Sequence, residues 1–343
     1  MQIAQIAPLM EAVPPKLYGG TERIVAYLTD ELVAMGHEVT LFASGDSSTT
    51  ASLDPGCERA LRLDPTVRDS VAPLLAMLET VAQRARDFDV VHLHCDYLGY
   101  PVLRRAGVPF LATLHGRLDL PELRSLYRVF SDVPVISISN SQREPLPEAA
   151  FVATVYHGLP ERLLLAGSGS GGYLAFLGRI SPEKAPDLAI RIAARAGMRL
   201  KIAAKIDAVD RDYFRAEIEP LLAQPHVEFI GEIGEHEKAE FLGNAAGLLF
   251  PIAWQEPFGL VMIEAMACGT PIIALRNGSV PEVVDDGVTG FIVDDEATAA
   301  RAAGQLHLLD RTLIRTIFEQ RFTARRMAED YTRIYQDLTS AQT

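Results

Sequence analysis

Phe250-Pro-Ile-Ala-Trp-Gln-Glu-Pro-Phe-Gly-Leu-Val-Met-Ile-Glu-Ala-Met-Ala-Cys-Gly-Thr-Pro-Ile-Ile-Ala274 is the stretch from which the architecture unfolds. An apolar strand ends at Pro251, and a loop then carries Glu256 and Trp254, the chain's single tryptophan. A helix is predicted from Phe258 to Cys268, where Gly269 and Pro271 stop it. A second apolar strand follows at 271–275. Two wholly apolar strands joined through one helix make a βα unit of a parallel sheet, covered on both faces.

The same alternation extends in both directions. Toward the carboxyl end a strand is predicted at 290–293; toward the amino end lie strands near 173–178, 199–204, 226–230 and 247–251, with helices near 183–196, 211–222, 236–244 and 260–268. Before residue 157 a second series reads as strands near 2–7, 38–43, 89–94, 109–114, 134–139 and 151–156. Its first helix, Thr21 to Met35, carries Ile24, Val25, Leu28, Leu32 and Val33 as one apolar stripe and ends at Gly36. Between the two series, Gly167-Ser-Gly-Ser-Gly-Gly172 has the composition of a flexible link or loop. The expectation is two doubly wound domains, 1–157 and 158–317, meeting at 157–172. A tail helix over 318–338, with Phe322, Met327, Tyr331, Ile334, Tyr335 and Leu338 on one side, has a face to bury.

The 343 residues suit two domains, because one core rarely grows past about 250–300 residues. A net charge of −13, with 13 Lys+Arg against 19 Asp+Glu in residues 1–150, argues against nucleic acid as a partner and against docking on anionic lipid. Cys57, Cys95 and Cys268 are too few and too scattered for a disulfide framework or a zinc site, and fit a reducing cytosol. With no leader-like amino terminus and no long apolar run, a cytoplasmic protein without a membrane anchor is expected. The first βα connection, Pro8 to Gly20, lacks GxGxxG, and the P-loop, HExxH and GxSxG patterns are missing throughout. Nicotinamide binding, P-loop phosphoryl transfer and the common hydrolase triad lose their support.

Glu264 lies in a helix that is apolar all round, so its carboxylate needs hydroxyls, N–H groups or a cation. Either a neighbouring turn satisfies it or a ligand's sugar hydroxyls do; Glu256, on the loop beyond the strand end, favours the ligand. The backbone of Phe258, Gly259, Leu260 and Val261, at the helix start, is suited to hold a phosphate. His92-Leu-His94-Cys-Asp96 has the spacing of metal ligands on one strand face, but no second cluster accompanies it, and strand-end hydrogen bonding or shaping of an acceptor side is expected instead. His157 is read as structural, and Arg191, Arg195, Arg199 and Lys201 as a solvated face.

Glu256-Pro-Phe-Gly-Leu-Val-Met-Ile-Glu264 followed by Ala-Met-Ala-Cys-Gly-Thr-Pro271 resembles the E-x7-E signature of retaining family 4 glycosyltransferases. Tyr18-Gly-Gly-Thr-Glu22, Leu114-His-Gly116, Leu177-Gly-Arg-Ile-Ser-Pro-Glu-Lys184 and Gly287-Val-Thr-Gly-Phe-Ile-Val293 resemble that family's other motifs at matching places, so the likeness spans nearly the whole chain. The resemblance implies the GT-B fold, two Rossmann-like α/β domains facing a cleft, with the tail helix packed back on the first. It further implies a nucleotide-sugar donor (UDP-, GDP- or ADP-linked), a small-molecule or glycan acceptor, and no cofactor or metal. By the same resemblance, Arg179, Lys184, Gly19, Gly20 and the 258–261 backbone hold the diphosphate, Glu256 the donor sugar and Glu264 the ribose, while His115 orients the sugar near the reacting carbon. Arg179 past a strand end and Lys184 at a helix opening independently suit a leaving group that gains negative charge. Other readings of the same chain are a nucleotide-sugar epimerase of that fold, or a two-domain sugar-binding protein without turnover.

Overall fold

The computed structural model describes residues 1–16 and 19–340, and Tyr18 of the glycine loop falls outside them. The chain divides into two compact units, residues 1–160 with 324–343 and residues 161–323.

The first unit is built on a parallel sheet of β1 (Gln2–Ile6), β2 (Glu38–Ser44), β3 (Ser52–Cys57), β4 (Val90–Leu93), β5 (Phe110–Thr113), β6 (Pro134–Ser137) and β7 (Ala150–Thr154). Their order is β3-β2-β1-β4-β5-β6-β7. The second unit repeats the plan with β8 (Tyr173–Arg179), β9 (Arg199–Lys205), β10 (Val227–Gly231), β11 (Gly247–Phe250), β12 (Ile272–Leu275) and β13 (Gly290–Val293), ordered β10-β9-β8-β11-β12-β13. Each sheet therefore reverses direction once, between β1 and β4 and between β8 and β11. At such a reversal the connections leave on opposite faces, and a crevice opens at the carboxyl ends of the strands. The architecture is α/β throughout, and strands β4, β5 and β11 are buried along their whole lengths. Among the described residues no helix is long and apolar enough to cross a membrane.

Four expectations are corrected. Residues 52–57, where no strand is predicted, form β3, an edge strand carrying Pro55 and a register shift against β2; proline is tolerated at an edge because no outer neighbour needs its missing N–H. The predicted helix 211–222 is a short α turn, a π turn and a 3-10 segment in series, broken ahead of Pro220. The tail helix is two helices, Arg311–Arg321 and Ala324–Ser340, separated at Phe322 and Thr323. Phe318 and Phe322 accordingly stay with the second unit, where Phe322 packs edge-on to Phe258.

The glycine-rich segment is no flexible link. Gly167 N–H donates to Cys268 O, Gly169 N–H to Gly243 O and Gly171 N–H to Asn244 O, all at 2.9–3.0 Å. The Arg311 side chain donates to Gly167 O at 3.2 Å, Ala245 O at 3.1 Å, Gly243 O at 3.0 Å and Thr270 Oγ1 at 2.8 Å, closing the second unit around this segment. The glycines are required by close backbone contact: a Cβ on Gly167 would sit 2.3 Å from Gly243 Cα. Gly167→Ala is expected to lower stability by about 3 kcal/mol, as overpacking of a closed contact does. Thermal unfolding checks this, and an unchanged midpoint would restore the flexible link.

Candidate functional site

Lys184 and Glu256 come from the two connections that part at the β8/β11 reversal. Lys184 closes a single turn, Pro182–Lys184, and Ala185 then takes a left-handed φ of +47° before the helix Pro186–Ala196 begins. The lysine thus precedes the helix that was expected to contain it. Ala253 N–H donates to Glu183 O at 2.9 Å, tying one connection to the other through backbone. Across this tie Lys184 Nζ donates to Glu256 Oε2 at 2.5 Å, and Trp254 Nε1–H donates to the same oxygen at 2.8 Å. The ammonium lies 5.9 Å from the Phe250 ring centre and 5.8 Å from that of Trp254, where aromatic faces favour a cation. Both charged side chains are largely withdrawn from water, at 21% and 11% exposure. Each therefore depends on the other until a ligand supplies new partners.

The Glu256 loop is braced by residues the sequence reading passed over. Asn277 Nδ2–H donates to Ile252 O at 2.7 Å, Gly278 N–H to Gln255 Oε1 at 2.9 Å and Ser279 N–H to Glu256 O at 3.0 Å. Gly278 has φ +55°, and a Cβ there would meet Glu256 N and O at 2.4 Å. The only sequence signal was one Asn-Gly-Ser turn after a strand.

Gly259, with φ +78°, caps the helix Leu260–Ala267, and Met262 N–H closes its first turn on Gly259 O at 2.9 Å. The N–H groups of Leu260 and Val261 precede that bond and remain outside the helical ladder. The expected helix start at Phe258 is thus two residues early; Phe258 is buried and its carbonyl accepts from Ser279 Oγ–H at 2.8 Å. One turn into the helix, Glu264 is 3% exposed and accepts from Lys238 Nζ at 2.6 Å. Of the partners its burial demanded, a cation is therefore present. Lys238 was missed because a lysine in the polar helix Glu235–Gly243 reads as solvated.

Arg179 ends β8 among three carboxylates: Nε is 3.4 Å from Asp210, Nη1 is 3.7 Å from Asp207 and Nη2 is 3.7 Å from Glu183. Among the described residues, Arg179 Nε and Asp210 Oδ2 are buried without a hydrogen-bond partner. The guanidinium is steered by charge while its fork stays uncommitted, a state suited to a bidentate oxyanion.

In the first unit, Gly19 is buried and Gly20 opens the helix Gly20–Ala34. A Cβ on Gly19 would meet Pro15 Cβ at 2.8 Å, so close packing already requires glycine there. His115 follows β5; its Nε2 lies 2.9 Å from His94 Nδ1 and its ring stacks on His157 at 5.3 Å. His94 and His92, expected in strand-end hydrogen bonding, reach Gln5 and Thr113 respectively, both at 2.7 Å. Burial lowers the pKa of His115 to about 3 and those of His92, His94 and His157 well below their ordinary values. All four imidazoles are neutral near pH 7.

Residues 18–158 match the model of Glycosyltransferase Family 4, and residues 168–321 match that of glycosyl transferases group 1. The chain belongs to the family 4 glycosyltransferases. The D-inositol 3-phosphate glycosyltransferase of Frankia alni is 28% identical over 89% of this transferase and 88% of its own length. The phosphatidyl-myo-inositol mannosyltransferase of Mycobacterium leprae is 27% identical over 92% and 89% of the two chains. Among solved structures, AviGT4, a glycosyltransferase involved in avilamycin A biosynthesis, superposes with TM-score 0.74 at 24% identity over 99% and 98% of the two chains. Sucrose-phosphate synthase of Thermosynechococcus elongatus gives TM-score 0.77 at 20% identity over 99% of each chain. The transferase has the GT-B fold these neighbours share.

Two predictions follow from the geometry. Gly278→Ala places a Cβ 2.4 Å from Glu256 backbone at a left-handed φ, so it is expected both to lower the melting temperature and to displace the Glu256 loop, cutting transfer at least tenfold, roughly the 1.4 kcal/mol of one lost contact. A steady-state assay beside a thermal melt checks it. For the histidines, unfolded chains bind protons below about pH 6.5 that the folded unit refuses, so stability falls as pH drops through that value. His94→Gln is expected to flatten the loss between pH 6.5 and 5 by up to about 1.4 kcal/mol per pH unit, read from denaturant midpoints.

Proposed function

We propose that this transferase moves a hexose from a nucleotide-sugar donor to an acceptor hydroxyl with retention of anomeric configuration and without a metal ion. The observation that carries the reading is the Lys184–Glu256 pair at the β8/β11 reversal, beside the uncommitted guanidinium of Arg179 and the open helix start at 259–261. A departing nucleoside diphosphate gains charge as its bond to the sugar breaks. Arg179, Lys184, Gly19, Gly20 and the amides of Phe258, Gly259, Leu260 and Val261 are assigned to that charge. Glu256, released from Lys184 as the lysine turns to phosphate, takes the donor sugar's hydroxyls. Glu264, kept in place by Lys238, takes the ribose, and His115 orients the sugar near its reacting carbon.

In this reading the bond from the anomeric carbon to the diphosphate oxygen breaks as the bond to the acceptor oxygen forms on the same face. The acceptor's proton passes to a diphosphate oxygen, so no protein nucleophile is required. Solved structures of Anabaena HepE, 17–18% identical, hold UDP, UDP and glucose, or UDP-glucose. UDP-sugars are accordingly the first donors to assay, followed by GDP- and ADP-sugars. The negative charge of residues 1–150 favours a soluble acceptor, and three free cysteines suit a cytoplasmic setting.

A donor panel run with wild type and Glu256→Ala tests the proposal. Wild type is expected to turn over one nucleotide class, with the product anomer matching the donor's by proton NMR and with EDTA without effect. Glu256→Ala is expected to lose at least about a hundredfold, the scale of a lost transition-state contact. Equal turnover by the variant would remove Glu256 from the site, and an inverted product would overturn retention.

A further inference from the structure

Gln5 is fully buried on β1, level with His92 on β4. Its Nε2–H donates to Tyr335 Oη at 3.1 Å, and its Oε1 lies 2.7 Å from His94 Nε2. An amide oxygen only accepts, so the His94 proton is on Nε2. A neutral imidazole has one N–H, which leaves His94 Nδ1 as a bare acceptor. The group facing it at 2.9 Å is His115 Nε2, which must therefore donate. His115 Nδ1 is left with a lone pair, and that atom is buried with no hydrogen-bond partner among the described residues.

The other end of the series runs the same way. With Tyr335 Oη already accepting from Gln5, its own O–H points to His92 Nδ1 at 2.7 Å. His92 Nε2–H then donates to Thr113 Oγ1 at 2.7 Å, and the Thr113 hydroxyl to Tyr331 Oη at 2.8 Å. Turning the Gln5 amide by half a rotation would reverse all of these bonds and place a proton on His115 Nδ1. A single buried side chain thus decides whether a histidine two bonds away offers a donor or an acceptor. Tyr331 and Tyr335 both belong to the helix Ala324–Ser340, so the setting is made by a chain segment far from His115 in sequence.

We propose that Gln5 and His94 are positioning residues that fix the tautomer of His115, holding it as an Nε2–H imidazole whose bare Nδ1 accepts a hydrogen bond from a hydroxyl of the donor sugar. This rests on the assignment of His115 to the donor sugar made above. Because the rings stay neutral, the control lies in proton placement and not in charge, and a buried unpaired acceptor gains most from a matching hydroxyl.

Nitrogen-15 NMR of the histidines in the ligand-free full chain at pH 7 is the test. The expected spectrum shows His94 and His115 each protonated at Nε2 and bare at Nδ1; a proton on His115 Nδ1 overturns the proposal. Gln5→Leu is expected to give a mixture of His115 tautomers and to lower kcat/KM for the donor about tenfold, the scale of one hydrogen bond. An unchanged spectrum with unchanged kcat/KM overturns it. Should Gln5→Leu fold poorly, Tyr335→Phe frees the amide to rotate and is expected to produce the same tautomer mixing; a single retained Nε2–H form would overturn the role of Gln5. Wild-type turnover by His115→Ala would sink the sugar contact itself, an outcome distinguishable because the tautomer assignment in the wild-type chain does not depend on it.

Discussion

A lysine and a glutamate meet where the second sheet reverses its strand order, and most of what surrounds them serves to hold that meeting. The reversal separates the connections after β8 and β11, so their backbones have no ladder in common. The bond from Ala253 N–H to Glu183 O, the Asn277-Gly278-Ser279 brace and the aromatic rings of Phe250 and Trp254 restore order there. The pair is sheltered enough that neither charge is well hydrated, yet remains reachable from solvent. Such a pair stores readiness for a ligand carrying both negative charge and hydroxyls, because that ligand satisfies each partner separately.

The first unit solves the opposite problem. Its histidines His92, His94, His115 and His157 are buried deeply enough that protonation is suppressed, so polarity there comes from oriented neutral dipoles. Gln5, His92, His94, Thr113, Tyr331 and Tyr335 form one connected hydrogen-bonded set. Buried networks of this kind are stable only when complete. At one end of the series His115 Nδ1 is buried with no hydrogen-bond partner among the described residues.

Much of this was legible in the sequence. Central parallel strands are buried on both faces, so 110–112, 247–250 and 272–275 stand out as apolar runs. The βα signature at 250–274 placed Glu256 on the loop and Glu264 within the helix, and started that helix two residues early, ahead of the cap Gly259. What escaped has physical causes. β3 holds Asp54, Pro55 and Gly56 because an edge strand lacks the constraints that make strands readable. The glycines at 167–172 signal close backbone packing as readily as freedom, and only their neighbours decide which. Lys238 and Gln5 are polar side chains whose partners, Glu264 and His94, are remote in sequence. Gln5 left one trace, a polar residue inside the short strand Gln2–Ile6.

The central claim is that the β8/β11 reversal is where a nucleoside diphosphate is held, with Lys184 exchanging its carboxylate for phosphate. Calorimetric titration of UDP, GDP and ADP into wild type and Lys184→Met measures this directly. The account predicts that one nucleotide binds wild type and that the variant binds it about a hundredfold more weakly, the scale of a charge-assisted contact to phosphate. Equal affinity in the two proteins would contradict it.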